Sequence, residues 1–126
     1  MANINSNGIT SIKAKNKLTG NIGEVQAIAF LEKNKYKILD TNYKTKFGEI
    51  DIVAQDKDNR IIFVEVKARN TAKFGYPREA VTPKKQLVIR RVAEHYLLCK
   101  KLKNAYTRFD VIEILDGNIT HLKNAF

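Results

Sequence analysis

Residues 48–67, GEIDIVAQDKDNRIIFVEVK, read as two apolar strands joined by a polar tip, each strand carrying acids where core side chains are expected. Residues 49–55 and 60–67 form the arms, and Asp56, Lys57, Asp58 and Asn59 the tip. A three-residue loop over 57–59 with Asn59 in the left-handed region pairs Asp56 with Arg60. The register then sets Val53 against Phe63, Asp51 against Glu65 and Glu49 against Lys67 on one face of the sheet. Ile50, Ile52, Ile62, Val64 and Val66 fall on the other.

Two carboxylates directly opposite one another repel, and acids within apolar runs are costly unless paired or bound to a cation. A hard divalent cation offsets that repulsion, takes one or two carboxylates and keeps waters. Asp51 and Glu65 are therefore candidate ligands for Mg²⁺ or Mn²⁺. Lys67, on the same face, is placed to steady a water or the charge that builds on a phosphoryl group. A plainer alternative makes Glu49 and Lys67 a cross-strand ion pair on a wet face. Val53, Ile61 and Phe63 on that face favour a covering helix instead.

Outward from the hairpin, Ile22, Val25, Ile28, Ala29 and Leu31 follow helical spacing over about 21–34, with Asn34 as a stop. Residues 36–43 read as a strand with Ile38 and Leu39 inward. Pro77 and Pro83 bracket the entry to a second helix over about 84–101, with Val88, Val92, Tyr96 and Cys99 on one stripe and Ile89, Ala93 and Leu97 beside it. Residues 109–115 and 119–122 close the chain as strands across an Asp116–Gly117 turn. The order is helix, three strands, helix, two strands: an α/β chain built on a mixed sheet.

The 126 residues, 44% of them hydrophobic, suffice for one core without disulfides. Residues 1–18 read as a flexible basic leader and 19–126 as a single domain. Cys99 reads as a small buried apolar residue in a reducing compartment. No signal peptide and no run near the about 20 apolar residues of a membrane span is present, so a cytoplasmic protein with no membrane partner is expected. Lys and Arg number 23 against 13 Asp and Glu, for a formal charge of +10, so a polyanion is the natural partner. Lys84, Lys85, Arg90 and Arg91 on the second helix, with Arg69 and Lys73 after the acidic strand, are candidate phosphate contacts. Gln86 stands where it could touch the site. His95 and His121 have no partners at zinc spacing.

Asp51 followed across a hairpin by Glu65, Val66 and Lys67 resembles the PD-(D/E)xK nuclease signature, with Ile50 in place of the proline. A wider pattern takes in Gly23 and Glu24, residues 48–51, residues 63–67 with Arg69, residues 108–110, and Asn124, Ala125 and Phe126. Over about residues 20–126 it closely resembles the YraN family of small bacterial proteins, predicted nucleases related to archaeal Holliday junction resolvases. The resemblance implies a restriction-endonuclease-like αβββαβ core, its mixed sheet flanked by helices. It implies Asp51, Glu65 and the Val66 carbonyl as metal ligands, Lys67 as the catalytic lysine, and Glu24 as an acid supporting the metal. Locally, Asn21 and Glu24 also fit a capping box. The implied activity is metal-dependent hydrolysis of phosphodiester bonds in DNA rather than RNA, on branched or structured substrates, by a homodimer. The alternative is a nucleic-acid-binding protein on the same fold with little or no catalysis.

Overall fold

The computed structural model describes residues 18–69 and 81–126. Lys73, Pro77 and the leader, apart from Leu18, lie outside them. The elements are α1 (Leu18–Lys33), β1 (Lys37–Thr45), β2 (Gly48–Gln55), β3 (Ile61–Arg69), α2 (Pro83–Cys99), β4 (Thr107–Leu115) and β5 (Asn118–Leu122). The five strands form one sheet in chain order. Only β3 and β4 run parallel, with α2 between them in the chain, and the other neighbours are antiparallel. The fold is thus a mixed α/β sheet in the expected order, β5 following the αβββαβ core. No helix among the described residues is long and apolar enough to cross a membrane.

Each helix covers one face. Ala27, Ile28 and Leu31 of α1 pack on Ile52, Ala54, Ile62, Val64, Ile112 and Ile114. Ile89, Val92, Ala93 and Tyr96 of α2 pack on Val53, Ile61, Phe63 and Phe109. Burying such side chains stabilises the fold by roughly 1.5–3 kcal/mol each, before conformational entropy is charged against it. The buried stripe of α1 is narrower than the spacing suggested, since Ile22 is exposed. The helix starts at Leu18, so Asn21 lies inside it and the capping-box reading has no helix start to serve. Asn34 does end it: its N–H and side-chain amide both donate to the Phe30 carbonyl, and Lys35 turns left-handed at φ 73°.

The β2–β3 tip has the expected geometry. Asn59 has φ 64°, Asp56 N–H donates to Arg60 O at 3.1 Å, and Val53 faces Phe63. Asp56 also accepts from Arg60 Nε at 2.7 Å, which ties the tip shut. Asp116 and Gly117 both take positive φ, 51° and 84°, as a two-residue hairpin turn requires.

Two further expectations fail. Ile50 packs with Val53 on the α2 side, whereas Ile52 packs on the α1 side. Strict alternation forbids that, so the strand slips a face at Asp51. Between Thr41–Ile52 and Tyr43–Ile50 in the β1 register stands Asn42, left-handed at φ 51°, which supplies the kink. Cys99 is exposed, because the last buried position of α2 is Tyr96 and the helix ends at Cys99 itself.

Gly48 sets how closely β2 approaches α2. A β-carbon there would stand 2.5 Å from Val88 Cγ1, on a backbone with φ 153°. Gly48→Ala is expected to destabilise by about 1–3 kcal/mol through overpacking, with backbone strain added, read as a lower urea midpoint at unchanged slope.

Candidate active site

The hairpin ladder opens where the acids lie. Counting from the Asp56–Arg60 bond, Ala54–Ile62 and Ile52–Val64 are the next hydrogen-bonded pairs and Ile50–Val66 should follow. The paired register ends instead at Ile52–Val64, and Val66 N–H donates to Asp51 Oδ2 at 2.8 Å. The Asp51 carboxylate thus replaces a main-chain acceptor at the point where β2 and β3 part. In extended chain a residue's N–H and C=O face the same neighbour, so the Val66 carbonyl also opens toward Asp51.

Gly23, Glu24, Asp51, Glu65, Val66, Lys67, Ala68 and Arg69 line one cleft of about 370 Å³. Glu24 comes from α1, and its Oε1 accepts from Asn42 Nδ2 at 2.8 Å. The kink residue of β1 therefore anchors the helix acid, which sequence reading missed. Gly23 lets the helix come in: a β-carbon on it would stand 2.8 Å from Ala68 Cβ. Glu65 is 6% exposed and meets two ammonium groups, Lys67 Nζ at 3.4 Å and Lys85 Nζ at 3.6 Å. Lys67 thus pairs with Glu65, not with Glu49, which sits beside Lys44 on β1.

The second lysine arrives from the first turn of α2, where Thr82 caps the helix by accepting from Lys85 N–H at 3.1 Å and Pro83 opens it. Its charge marked Lys85 as a candidate phosphate contact, and the fold brings its ammonium to Glu65. Arg69 lines the cleft. The other candidates lie elsewhere: Lys84 is exposed on α2, and Gln86 Nε2 donates to the Val81 carbonyl at 3.3 Å. Arg90 stands 4.6 Å from the Phe109 ring centroid and Arg91 4.9 Å from that of Phe47. Glu113 had no part in the sequence reading, yet it is 6% exposed and sits beside Lys67 in the β3–β4 register. An acid between Val111 and Leu115, on an otherwise apolar strand face, was the available signal.

Electrostatics mark Asp51 as the strained member. Burial pushes its carboxyl from 3.8 up to about 8; the Glu65 charge adds to that, the Val66 N–H opposes it, and the Glu24 charge and a hydrogen bond shared with Glu65 push the same way as burial. The folded, metal-free protein therefore holds this proton more tightly than the unfolded chain does. Its contribution to stability is full below pH 4, falls as pH rises and levels off above about 8. With metal chelated, wild type is expected to lose melting temperature relative to Asp51→Asn between pH 5 and about pH 8. Parallel melts of the two proteins would contradict this.

Among the described residues no group of three or more His, Cys, Asp or Glu side chains is placed to hold a metal ion. The donor set is two carboxylates and a main-chain carbonyl. That set still fits Mg²⁺ or Mn²⁺, since such ions take one or two carboxylates and fill the remaining positions with water or substrate oxygens. Burial first and the Glu65 charge second disfavour the ionised form of Asp51, and a cation held by the two acids would offset both.

Residues 23–114 match the model of a family described as "Uncharacterised protein family UPF0102". A UPF0102 protein of Caldicellulosiruptor saccharolyticus is 48% identical over 115 residues, covering 85% of this chain and 95% of that protein. One from Clostridioides difficile is 49% identical over 113 residues, covering 88% and 98%. Among solved structures, a chain of "Structure of EndoMS-dsDNA2 complex" matches at 16% identity and a TM-score of 0.34, over 74% of this chain and 34% of that one, a likeness too slight to relate the two.

Proposed function

The chain belongs to the uncharacterised protein family UPF0102, the YraN family, and from the geometry of its acidic cleft we propose that it is a metal-dependent nuclease that hydrolyses phosphodiester bonds in DNA. The observation that carries this reading is the meeting of Asp51, Glu65, Lys67 and Lys85 where two strands part. Opposed carboxylates with ammonium groups beside them suit a phosphodiester, whose hydrolysis needs negative oxygens neutralised and a water aimed in line.

Asp51, Glu65 and the Val66 carbonyl would hold Mg²⁺ or Mn²⁺, with Glu24 in support through the cleft they share. Bound there, the cation would neutralise phosphate oxygen charge and lower the pKa of a water. The remaining work belongs to the chain. Lys67, held by Glu65, presents its ammonium to a phosphate oxygen as that oxygen gains charge. Lys85 places a second positive charge at the cleft from the start of α2. Asn42 fixes Glu24, and the Val66 N–H fixes Asp51, so neither carboxylate must reorient when substrate arrives. The formal charge of +10 supplies a general grip on the nucleic-acid backbone, and a branched duplex is the first substrate to try.

Cleavage of plasmid, flap and four-way DNA, with an RNA control, tests the proposal under Mg²⁺ or Mn²⁺ titration. Lys67→Ala is expected to slow cutting by about 10²–10³-fold and to leave binding within about threefold. Wild-type protein that binds the panel and cuts none of it would replace the nuclease reading with that of a non-catalytic binding protein.

A further inference from the structure

We propose that the exposed face of α2 pairs with the same face of a second copy of this chain, as an antiparallel two-helix seam about a two-fold axis. Leu87 and Leu98, 70% and 60% exposed, are among the large apolar side chains left in solvent. Both lie on α2 with Arg91 and Glu94 between them, also exposed. From Leu87 to Arg91 is four residues, to Glu94 three more and to Leu98 four more. This is the spacing of a heptad seam, whose side chains fall on one stripe of a helix.

The order of the stripe is what identifies the partner. Its sequence reads apolar, positive, negative, apolar, and its centre falls between Val92 and Ala93. A two-fold axis there sets Leu87 against Leu98 of the partner subunit and Arg91 against Glu94 of the partner subunit, each contact occurring twice. Isologous pairing requires such self-complementarity. An unrelated protein would have to match the order by design, whereas a second copy matches it by symmetry. The Arg91 guanidinium stands over the Phe47 ring, a stacking that leaves in-plane N–H groups for a carboxylate.

The chief opposing term is at the ends of the seam, where Lys84 is exposed on the first turn of α2 and Lys100 and Lys101 follow the end of the helix. Those long side chains are in water, where salt screens them and they can swing apart. Among the described residues both leucines stay largely exposed. The seam leaves the acidic clefts open, because Lys85 meets Glu65 from the flank of α2 that faces the sheet. It would set two Lys85 positions on the order of 20 Å apart along the helix axis. The proposal stands without the nuclease reading, since it concerns assembly of the protein free of nucleic acid.

Sedimentation equilibrium of the full chain, free of nucleic acid and at near-physiological salt, is the test. Wild type is expected to dimerise, and Arg91→Glu and Glu94→Arg singly to raise the dissociation constant about tenfold or more, because each turns both symmetry-related pairs into like-charge pairs. The double variant Arg91→Glu/Glu94→Arg restores opposite charges in swapped positions and should recover the dimer, which a merely damaged helix would not do. Leu87→Lys should weaken it without rescue. A wild type that stays monomeric, single reversals without effect, or a double variant that fails to recover each overturns the proposal, whatever the cleavage assays give.

Discussion

Asp51→Asn is expected to lower metal-dependent cleavage by about three orders of magnitude or more while raising the melting temperature of the metal-free protein near pH 8. The two effects share one cause. In the resting protein Asp51 is largely buried with Glu65 and Glu24 at hand, and its carboxyl is pushed up to about 8. Near that pH the fold is burdened with part of the cost of burying a negative charge, and of holding it beside Glu65 and Glu24, a destabilisation on the order of a few kcal/mol. Asparagine removes the charge and keeps an oxygen for the Val66 N–H, which now goes to Asp51 Oδ2 at 2.8 Å. The hydrogen bond at the parted strands survives and the repulsion goes. In the proposed reaction that same charge is what draws a cation into the cleft, so its loss removes most of the electrostatic assistance to phosphodiester hydrolysis. Single-turnover cleavage and thermal melts in chelator measure the pair. Near-normal cutting would remove Asp51 from the metal site; a lower melting point would mean the carboxylate holds the strands together as an ion and not as an acceptor.

That burden also bears on how much could be read from residue order. The hairpin was legible because its signals are local: alternation at period two, and Asn59 accepting a left-handed backbone at the tip. The assignment of Asp51, Glu65 and Lys67 to one cleft followed, and they do share it. What failed depends on contacts distant in sequence. Ile50 changes face because Asn42, on the neighbouring strand, is left-handed and hydrogen-bonded to Glu24 of α1. Nothing in residues 48–55 signals that event. Lys85 reaches Glu65 only because the start of α2 returns to the open end of the hairpin, so its charge was readable and its target was not. The start of α1 was misplaced for a different reason: Asn21 and Glu24 satisfy a capping pattern that the helix overruns. Glu113 shows the converse, an acid at a core position of β4 that the strand pattern exposed and that deserved the suspicion given to Asp51.

Asp110→Ala is expected to cost about 3–5 kcal/mol, a large share of a total stability that is roughly 5–15 kcal/mol. Asp110 is fully buried and accepts from Arg108 Nε and Nη2 at 2.8 Å each and from Asn124 N–H at 2.9 Å, with His121 Nε2 2.7 Å away. It therefore joins β4, β5 and the C-terminal segment, whose Ala125 N–H returns to the Phe109 carbonyl at 2.7 Å. Arg108 also donates to the Tyr36 hydroxyl at 2.9 Å, extending the network to the chain after α1. Removing the carboxylate leaves a nearly buried guanidinium without its counter-charge, and that residue, more than the lost bonds, sets the cost. Titration distinguishes this acid from Asp51. Burial raises the Asp110 carboxyl, but the bonds from His121, Arg108 and Asn124 and the Arg108 charge together outweigh burial and hold it below its ordinary 3.8. Its contribution is thus present above about pH 4 and lost as pH falls through the depressed value. Asp110→Asn, which keeps the shape and one acceptor, should melt below wild type at pH 6, with the gap closing toward pH 2–3 if the fold persists there. A gap of equal size at both pH values would mean that the ionised carboxylate is not what the network stabilises. The two acids respond to pH with opposite sign because one is surrounded by donors and the other by carboxylates: a fold tolerates the second kind of site at a cost, and a cation in the cleft would offset that cost.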